Sequence, residues 1–198
     1  MRKHFFVIIM ALLLIATVCA AGCTSNNTST PTASPTRSPT FAPKNISGYR
    51  NYTNRSAGIA IQYPSSWQLT QGGEANATAF FNVSGVEMSF TIVAPESFSG
   101  QSVTLDQFSQ DLITTLQQNA NLTNFTLLSS SNTTLAGYPA QKLVFTFVNP
   151  DGIASQGMAE LTLVNGTGYA LTYVASQAVY PTYVGIAQNM MQSFNITK

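Results

Sequence analysis

Apolar residues fall into three regimes along the 198-residue chain. Residues 5–18 are almost wholly apolar, residues 24–44 carry hardly any apolar side chain, and from Gly58 onward apolar positions recur with the periods of strands and helices. Ile59 and Ile61 alternate with Ala60 and Gln62, and Tyr63-Pro64-Ser65-Ser66-Trp67 then turns the chain. Pro64 has no N–H for a ladder and ends the strand. Val86, Met88, Phe90 and Ile92 alternate with Glu87, Ser89, Thr91 and Val93, the period of a half-buried strand. A helix follows: Thr104 and Gln107 have capping-box spacing, and Leu105, Phe108, Leu112 and Leu116 form one stripe with Ile113 beside it. Asp106 near the start suits the helix dipole.

Further strands are expected over residues 125–130 and 141–148, with a turn at Leu135-Ala136-Gly137-Tyr138-Pro139 between them. Asn149-Pro150-Asp151-Gly152 signals another turn. Residues 158–164 and 169–175 read as a hairpin across Asn165-Gly166-Thr167-Gly168. A closing helix presents Val179, Tyr183, Ile186, Ala187, Met190 and Phe194 on one face, with Pro181 in its first turn. The order is strands, helix, strands, helix, with short connections, so the fold class is α+β with a mainly antiparallel sheet. Each helix has one apolar stripe and must cover a sheet face. One arrangement puts the helices on opposite faces, an α-β-α sandwich.

The apolar run near the start has the anatomy of an export signal. Arg2, Lys3 and His4 precede it, and Ala20-Ala21-Gly22-Cys23 puts small residues before a cysteine. Cleavage after residue 22 would leave Cys23 to carry a lipid, although Ala20 stands where the usual lipoprotein box has Leu. The alternative is an uncleaved anchor, since residues 5–21 give about 17 apolar positions, the low edge of a bilayer span. Both readings place the bulk of the protein outside the cytoplasm at a membrane. The Ser, Thr, Asn and Pro residues that follow, with Thr-Pro-Thr and Ser-Pro-Thr steps through Pro31, Pro35 and Pro39, can bury no core and read as an extended tether. The expected organisation is signal peptide 1–22, tether 23–56 and one folded domain 57–198.

Charge is sparse and segregated. Beyond Arg55 the only basic residues are Lys142 and Lys198, against Glu74, Glu87, Glu96, Asp106, Asp111, Asp151 and Glu160. A mildly acidic domain argues against nucleic acid, whose binding needs cations to displace counterions. Cys19 would leave with the signal, so Cys23 would have no intrachain disulfide partner. His4, the one histidine, would leave too, which excludes His-based acid–base chemistry, triads and zinc sites.

Of fifteen asparagines, twelve begin an Asn-x-Ser/Thr sequon: Asn26, Asn27, Asn45, Asn51, Asn54, Asn76, Asn82, Asn121, Asn124, Asn132, Asn165 and Asn195. Chance in a chain about one fifth Ser and Thr would supply only ~3 or 4. The excess points to an N-glycosylated surface protein, its glycans keeping a charge-poor domain soluble. A lipobox together with many sequons points to an archaeal cell surface.

Residues from Gly58 onward resemble the PsbP-like family, also called the Mog1/PsbP fold. Gly58-Ile59-Ala60-Ile61-Gln62-Tyr63-Pro64-Ser65-Ser66-Trp67 resembles its opening strand and Tyr-Pro-x-x-Trp turn. Leu135-Ala136-Gly137-Tyr138-Pro139-Ala140 resembles the turn before its long central strands, and Gly168-Tyr169-Ala170-Leu171-Thr172-Tyr173 and Met190-Met191-Gln192-Ser193-Phe194 match in order and spacing. The resemblance implies the fold and an accessory role at a surface. Lipid-anchored relatives of this kind occur in methanogenic archaea. The family's photosystem II subunits bind through a basic N-terminal segment and help retain calcium and chloride; that segment is not recognisable here, so neither the photosynthetic role nor any functional residue is carried over. Members that bind small GTPases do so inside cells, which export would exclude.

Candidate chemistry is thin. Tyr63, Pro64 and Trp67 could form an aromatic recognition patch, but aromatics serve cores more often. Glu87 with Glu160, or Asp106 with Asp111, could hold a hard cation, yet calcium needs several converging oxygens and a solvated carboxylate is the default for each. Tyr138, Tyr169, Tyr173, Tyr180 and Tyr183 could build a binding surface or pack. No Gly-x-Ser-x-Gly elbow, Ser-x-x-Lys pair, phosphate-cradling loop or cofactor motif is present. Two classes remain: a non-enzymatic accessory or binding lipoprotein, held in the membrane by lipid on Cys23 and engaging an unidentified surface protein, and a carboxylate-based hydrolase or a small-ligand or metal-ion binder using acidic residues of the domain.

Overall fold

A computed structural model describes residues 48–71, 79–83, 86–93 and 102–197. The stretch read as a signal, residues 23–47 of the stretch read as a tether, and Asn76 lie outside the described residues, and with them Cys23, Asn26, Asn27 and Asn45. Ten strands and two helices are described: β1 (Tyr49–Asn54), β2 (Ile59–Pro64), β3 (Gln68–Gln71), β4 (Ala79–Val83), β5 (Val86–Val93), α1 (Leu105–Gln117), β6 (Thr123–Leu135), β7 (Tyr138–Val148), β8 (Ala154–Val164), β9 (Thr167–Ser176), α2 (Tyr180–Ser193) and β10 (Asn195–Ile196). They form a seven-stranded sheet in the order β3-β4-β5-β9-β8-β7-β6 and a three-stranded sheet in the order β1-β2-β10. Every pairing is antiparallel.

Both helices form where the apolar stripes place them. Thr104 caps α1 in a complete capping box: its hydroxyl accepts from Gln107 N–H at 3.2 Å, and the Gln107 side chain accepts from Thr104 N–H at 2.9 Å. Such a cap stabilises by about 1 kcal/mol. Phe108, Leu112, Ile113 and Leu116 on α1 pack with Leu143, Phe145 and Phe147 of β7, Ala159 and Leu161 of β8 and Ala170 of β9. In α2, Pro181 sits in the first turn, where a missing N–H costs little. Ala187, Met190 and Met191 join a second cluster with Tyr52, Ile59 and Ile61 of the small sheet and Leu171, Tyr173 and Ala175 of β9.

The central strands serve both clusters. Tyr169, Leu171, Tyr173 and Ala175 pack with α2, while Ala170 and Val174 pack with α1. Successive side chains on a strand point to opposite faces, so β9 is covered on both sides and shows no polar alternation.

Two features depart from expectation. Residues 49–54 fall within the stretch assigned to the tether, yet they form β1, paired with β2 from Tyr49↔Pro64 to Asn54↔Ile59. Only Tyr52 of β1 is buried, against the Phe81 ring at 6.0 Å, so an edge strand with one anchor shows no apolar alternation. The expected strands at 125–130 and 141–148 extend into one long hairpin, β6–β7, closed by Ala136 and Gly137 at φ 52° and 82°. Both residues have the positive φ of a two-residue turn whose twist matches the strands. The β8–β9 hairpin closes in the same way through Asn165 and Gly166, at φ 51° and 77°.

Gly157 of β8 lies opposite Phe145 of β7, and a Cβ there would run into the Phe145 ring. That ring is buried and stacks on Phe125 at 5.7 Å and Phe147 at 6.1 Å, so it has little room to yield. Gly157→Ala is therefore expected to destabilise by about 1–3 kcal/mol, the usual range for overpacking. Denaturant unfolding should show the loss, and Gly157→Ala with Phe145→Leu should recover part of it; an unchanged midpoint for the single variant would refute the contact.

Candidate functional site

The Tyr63-Pro64-Trp67 corner belongs to the core. Trp67 N–H donates to Pro64 O at 3.0 Å, and Ser65 N–H donates to Gly48 O at 2.8 Å. The turn drives Trp67 inward, where it is 5 % exposed and meets Tyr183 of α2 edge to face at 6.2 Å. Tyr63 packs on Phe81 at 4.9 Å. Nearby, Ser193 Oγ at the end of α2 accepts from Gln62 N–H at 2.9 Å and donates to Met190 O at 2.7 Å, tying the small sheet to the helix.

The tyrosines are also mostly structural. Tyr169, Tyr173 and Tyr180 are buried, Tyr183 is half-buried and Tyr138 is exposed. Tyr173 OH donates to Tyr180 O at 3.0 Å, and the two rings lie 4.9 Å apart. Burial pushes the Tyr173 phenol far above its ordinary range, with Tyr180 and Tyr183 adding to the shift. Burial raises Tyr180 as well, opposed by a hydrogen bond with Gln156, and burial raises Tyr169 with a smaller contribution from Tyr138. These phenols stay protonated at neutral pH, and Tyr173 serves as a donor.

Among the described residues, the acidic side chains do not converge. Gln141 and Lys142 are consecutive on β7 and point to opposite faces. On one side, Gln141 Nε2 donates to Asp106 Oδ1 of α1 at 2.9 Å and to Asn132 Oδ1 at 3.2 Å, while Ser130 Oγ donates to Gln141 Oε1 at 3.0 Å. On the other, Lys142 Nζ lies 4.0 Å from Glu160 Oε1, its cross-strand partner. Register also separates the suggested pair of Glu87 and Glu160. Position 87 is opposite Val174, in the row facing α1, whereas Glu160 is opposite Leu171, in the row facing α2. Asp106 and Asp111 are five residues apart on α1, which places them on different helix faces. Among the described residues no three His, Cys, Asp or Glu side chains are grouped to hold a metal ion.

A pairing the sequence does not announce is Lys142 with Glu160. Only the β7–β8 register reveals it, because the two residues are 18 positions apart, on either side of the turn at residues 149–153. Burial raises the Glu160 carboxyl above its ordinary 4.5, and Lys142 pulls it partly back.

A profile of the PsbP family matches residues 47–196. The chain belongs to the PsbP family. No curated protein matches it in sequence. Among solved structures, the PsbP domain is similar to cyanobacterial PsbP (CyanoP) from Synechocystis sp. PCC 6803, with a TM-score of 0.57 and 13 % identity over 79 % of this chain and 97 % of that one. It is similar to a point mutant of the protein Mog1, with a TM-score of 0.54 and 10 % identity over 76 % of this chain and 96 % of that one. A structure from Bacteroides thetaiotaomicron aligns with a TM-score of 0.51 and 12 % identity over 77 % of this chain, which spans half of that longer chain. At these identities the structural likeness concerns the fold. The PsbP profile begins at residue 47, just before β1, so β1 lies within the matched region.

Within the PsbP domain, none of the sequon asparagines with described burial is buried. Asn51, Asn121, Asn124, Asn132, Asn165 and Asn195 are exposed, and Asn54 and Asn82 are half-buried. By contrast Asn149, which starts no sequon, is buried: its Oδ1 accepts from Asp151 N–H at 3.1 Å and Ile153 N–H at 2.8 Å, holding the β7–β8 turn.

The Glu160 carboxyl binds its proton more tightly in the folded state than in the unfolded one. Its protonated form therefore favours folding fully below the ordinary value of 4.5, and that advantage is lost as pH rises through the folded value. Glu160→Gln should flatten this dependence: its stability relative to wild type should climb as pH rises from 4.5 toward neutrality. Lys142→Met alone should destabilise at neutral pH by roughly 0.5–1 kcal/mol, as for a partly exposed pair, and less in the Glu160→Gln background. A Glu160→Gln variant that instead lost ground with rising pH, in unfolding series at several pH values, would reverse the assigned direction.

Proposed function

We propose that this chain is an exported lipoprotein, held on the outer face of a cell membrane by lipid on Cys23, whose PsbP domain is a non-enzymatic accessory module for another surface protein. The observation that carries this reading is the joining of an export-type segment ending at Cys23 to a PsbP family domain across a Pro- and Thr-rich tether. We read the layering as an α-β-α sandwich, with the small sheet lying beside α2. The sequon density agrees with an archaeal cell envelope.

The alternative of a carboxylate-based hydrolase or cation binder loses support from the register. Its suggested pairs are divided between two faces of the sheet, or between two faces of one helix. A hydrolase of the two-carboxylate type needs its acids roughly 5–10 Å apart across one cleft.

Crosslinking of the intact protein in its own membranes, followed by mass spectrometry, is the test. The expected results are one recurrent protein partner and an N-terminal peptide that begins at lipid-modified Cys23, with Cys23→Ser abolishing the lipid. A mature chain that keeps Met1 or Arg2 would remove the lipoprotein reading, and crosslinks no more recurrent than background would remove the accessory role.

A further inference from the structure

The edge of the seven-stranded sheet at β6 poses a physical problem. β6 is 13 residues long, and among the described residues it pairs only with β7, so its other side is the free edge of the described sheet. Free edges of this length invite pairing with another chain, and proteins usually blunt them with charged residues, proline or bulges. β6 contains no charged residue and no proline. It has two bulges, one between Thr123 and Thr126 and one between Leu127 and Ser129. The second leaves Leu128 without a cross-strand partner and 54 % exposed, an apolar side chain on a bare edge.

Two sequons bracket that side chain. Asn124 lies in the first bulge at φ 54°, off the ladder and exposed. Asn132 is exposed farther along, and Thr134 shares its face by the strand period. Its Oδ1 accepts from Gln141 Nε2 at 3.2 Å, which leaves Nδ2, the atom a glycan modifies, outside that bond. Each asparagine is four residues from Leu128, about 13 Å along an extended strand. The small sheet shows a similar placement, with exposed Asn51 on its β1 edge and exposed Asn195 on its β10 edge.

We infer that N-linked oligosaccharides on Asn124 and Asn132 cover the free β6 edge and keep the domain from edge-to-edge association, with Asn51 and Asn195 doing the same for the small sheet. The inference rests on the surface reading above, since the sugars are added outside the cytoplasm. The co-reactant is an activated glycosyl phosphate donor. Asparagine Nδ2 attacks the anomeric carbon, the N–C bond forms as the C–O bond to phosphate breaks, the phosphate leaves with that bonding pair, and the amide proton passes to a base of the transferase. A hydrated glycan on each side of Leu128 would obstruct an incoming strand as charge or proline does elsewhere, without changing the protein's net charge if the sugars are neutral.

Glycopeptide mass spectrometry of the full-length protein from its own membranes tests occupancy, and sedimentation of purified variants tests the role. The expected results are glycan mass on Asn124 and Asn132, and a concentration-dependent shift from monomer toward dimers and larger species in Asn124→Gln/Asn132→Gln. Asn165→Gln, at the tip of the β8–β9 hairpin and away from every edge, should leave sedimentation unshifted apart from the mass of one glycan. Adding Leu128→Lys to the double variant should return it to monomer, which separates edge pairing from misfolding. Bare Asn124 and Asn132 on a chain that carries lipid at Cys23 would overturn the inference while leaving the surface reading intact; an unlipidated, unglycosylated cytoplasmic chain would overturn both. A double variant that stays monomeric at every concentration would overturn the shielding role.

Discussion

The fold depends on two strands being buried on both faces. β8 and β9 lie at the middle of the seven-stranded sheet, and their side chains are divided by the strand period between two separate apolar clusters. A slip of one residue in β9 would send Tyr169, Leu171 and Tyr173 toward α1 and Ala170 and Val174 toward α2. The rows differ in size: large rings face α2 and the small sheet, whereas small and branched residues face α1. Neither cluster could accept the other's residues, so register here is set by volume as well as by polarity. The short turns at Ala136-Gly137 and Asn165-Gly166 hold the hairpins in that register from their closed ends.

Volume matching also explains two glycines in the central strands. Phe145 lies across the gap left by Gly157, and a Cβ on Gly168 would come within 2.8 Å of the Phe108 ring tip. Both rings belong to the α1 cluster. The α1 layer thus reaches the sheet where backbone, not side chain, meets the aromatic ring. Glycine in a strand interior is entropically unfavourable, and the close ring packing it permits offsets that cost. The same arrangement relieves the need for large residues on the α1-facing row of β8 and β9, which keeps Ala159 and Ala170 small.

How much of this could be read from the chain follows from how each element buries itself. α1 and α2 were legible because each shows one apolar face at helical period, with a cap or a proline marking its start. The β8–β9 hairpin was legible from Asn165-Gly166 between two apolar runs, and the Tyr-Pro-x-x-Trp corner led to the family. β1 was not, because a polar edge strand with Tyr52 as its sole buried residue looks like a tether. β3 and β10 are four and two residues long, too short to establish a period. The acidic residues were legible as types but not as partners. Whether Glu160 meets Glu87 or Lys142 depends on register across the four strands β7, β8, β9 and β5, which residue type alone does not encode. Residue-level function was harder still to read, since the most distinctive aromatic motif, Tyr63-Pro64-Trp67, is spent on joining the small sheet to α2.

The placement of polarity bears on what such a domain can do. The hydrogen-bonded set around Asp106 and Gln141 and the ion pair of Lys142 and Glu160 occupy opposite faces of β7, separated by the sheet itself. Groups divided in this way cannot cooperate on one small reactant. The end of the domain that holds them, β6 and β7, is also where apolar cover thins out: β6 is exposed along most of its length, whereas β8 and β9 are enclosed. The small sheet, α2 and the Trp67 corner make internal aromatic contacts instead. Side-chain polarity at this end is thus distributed along β6 and β7 and divided between the two faces of the sheet.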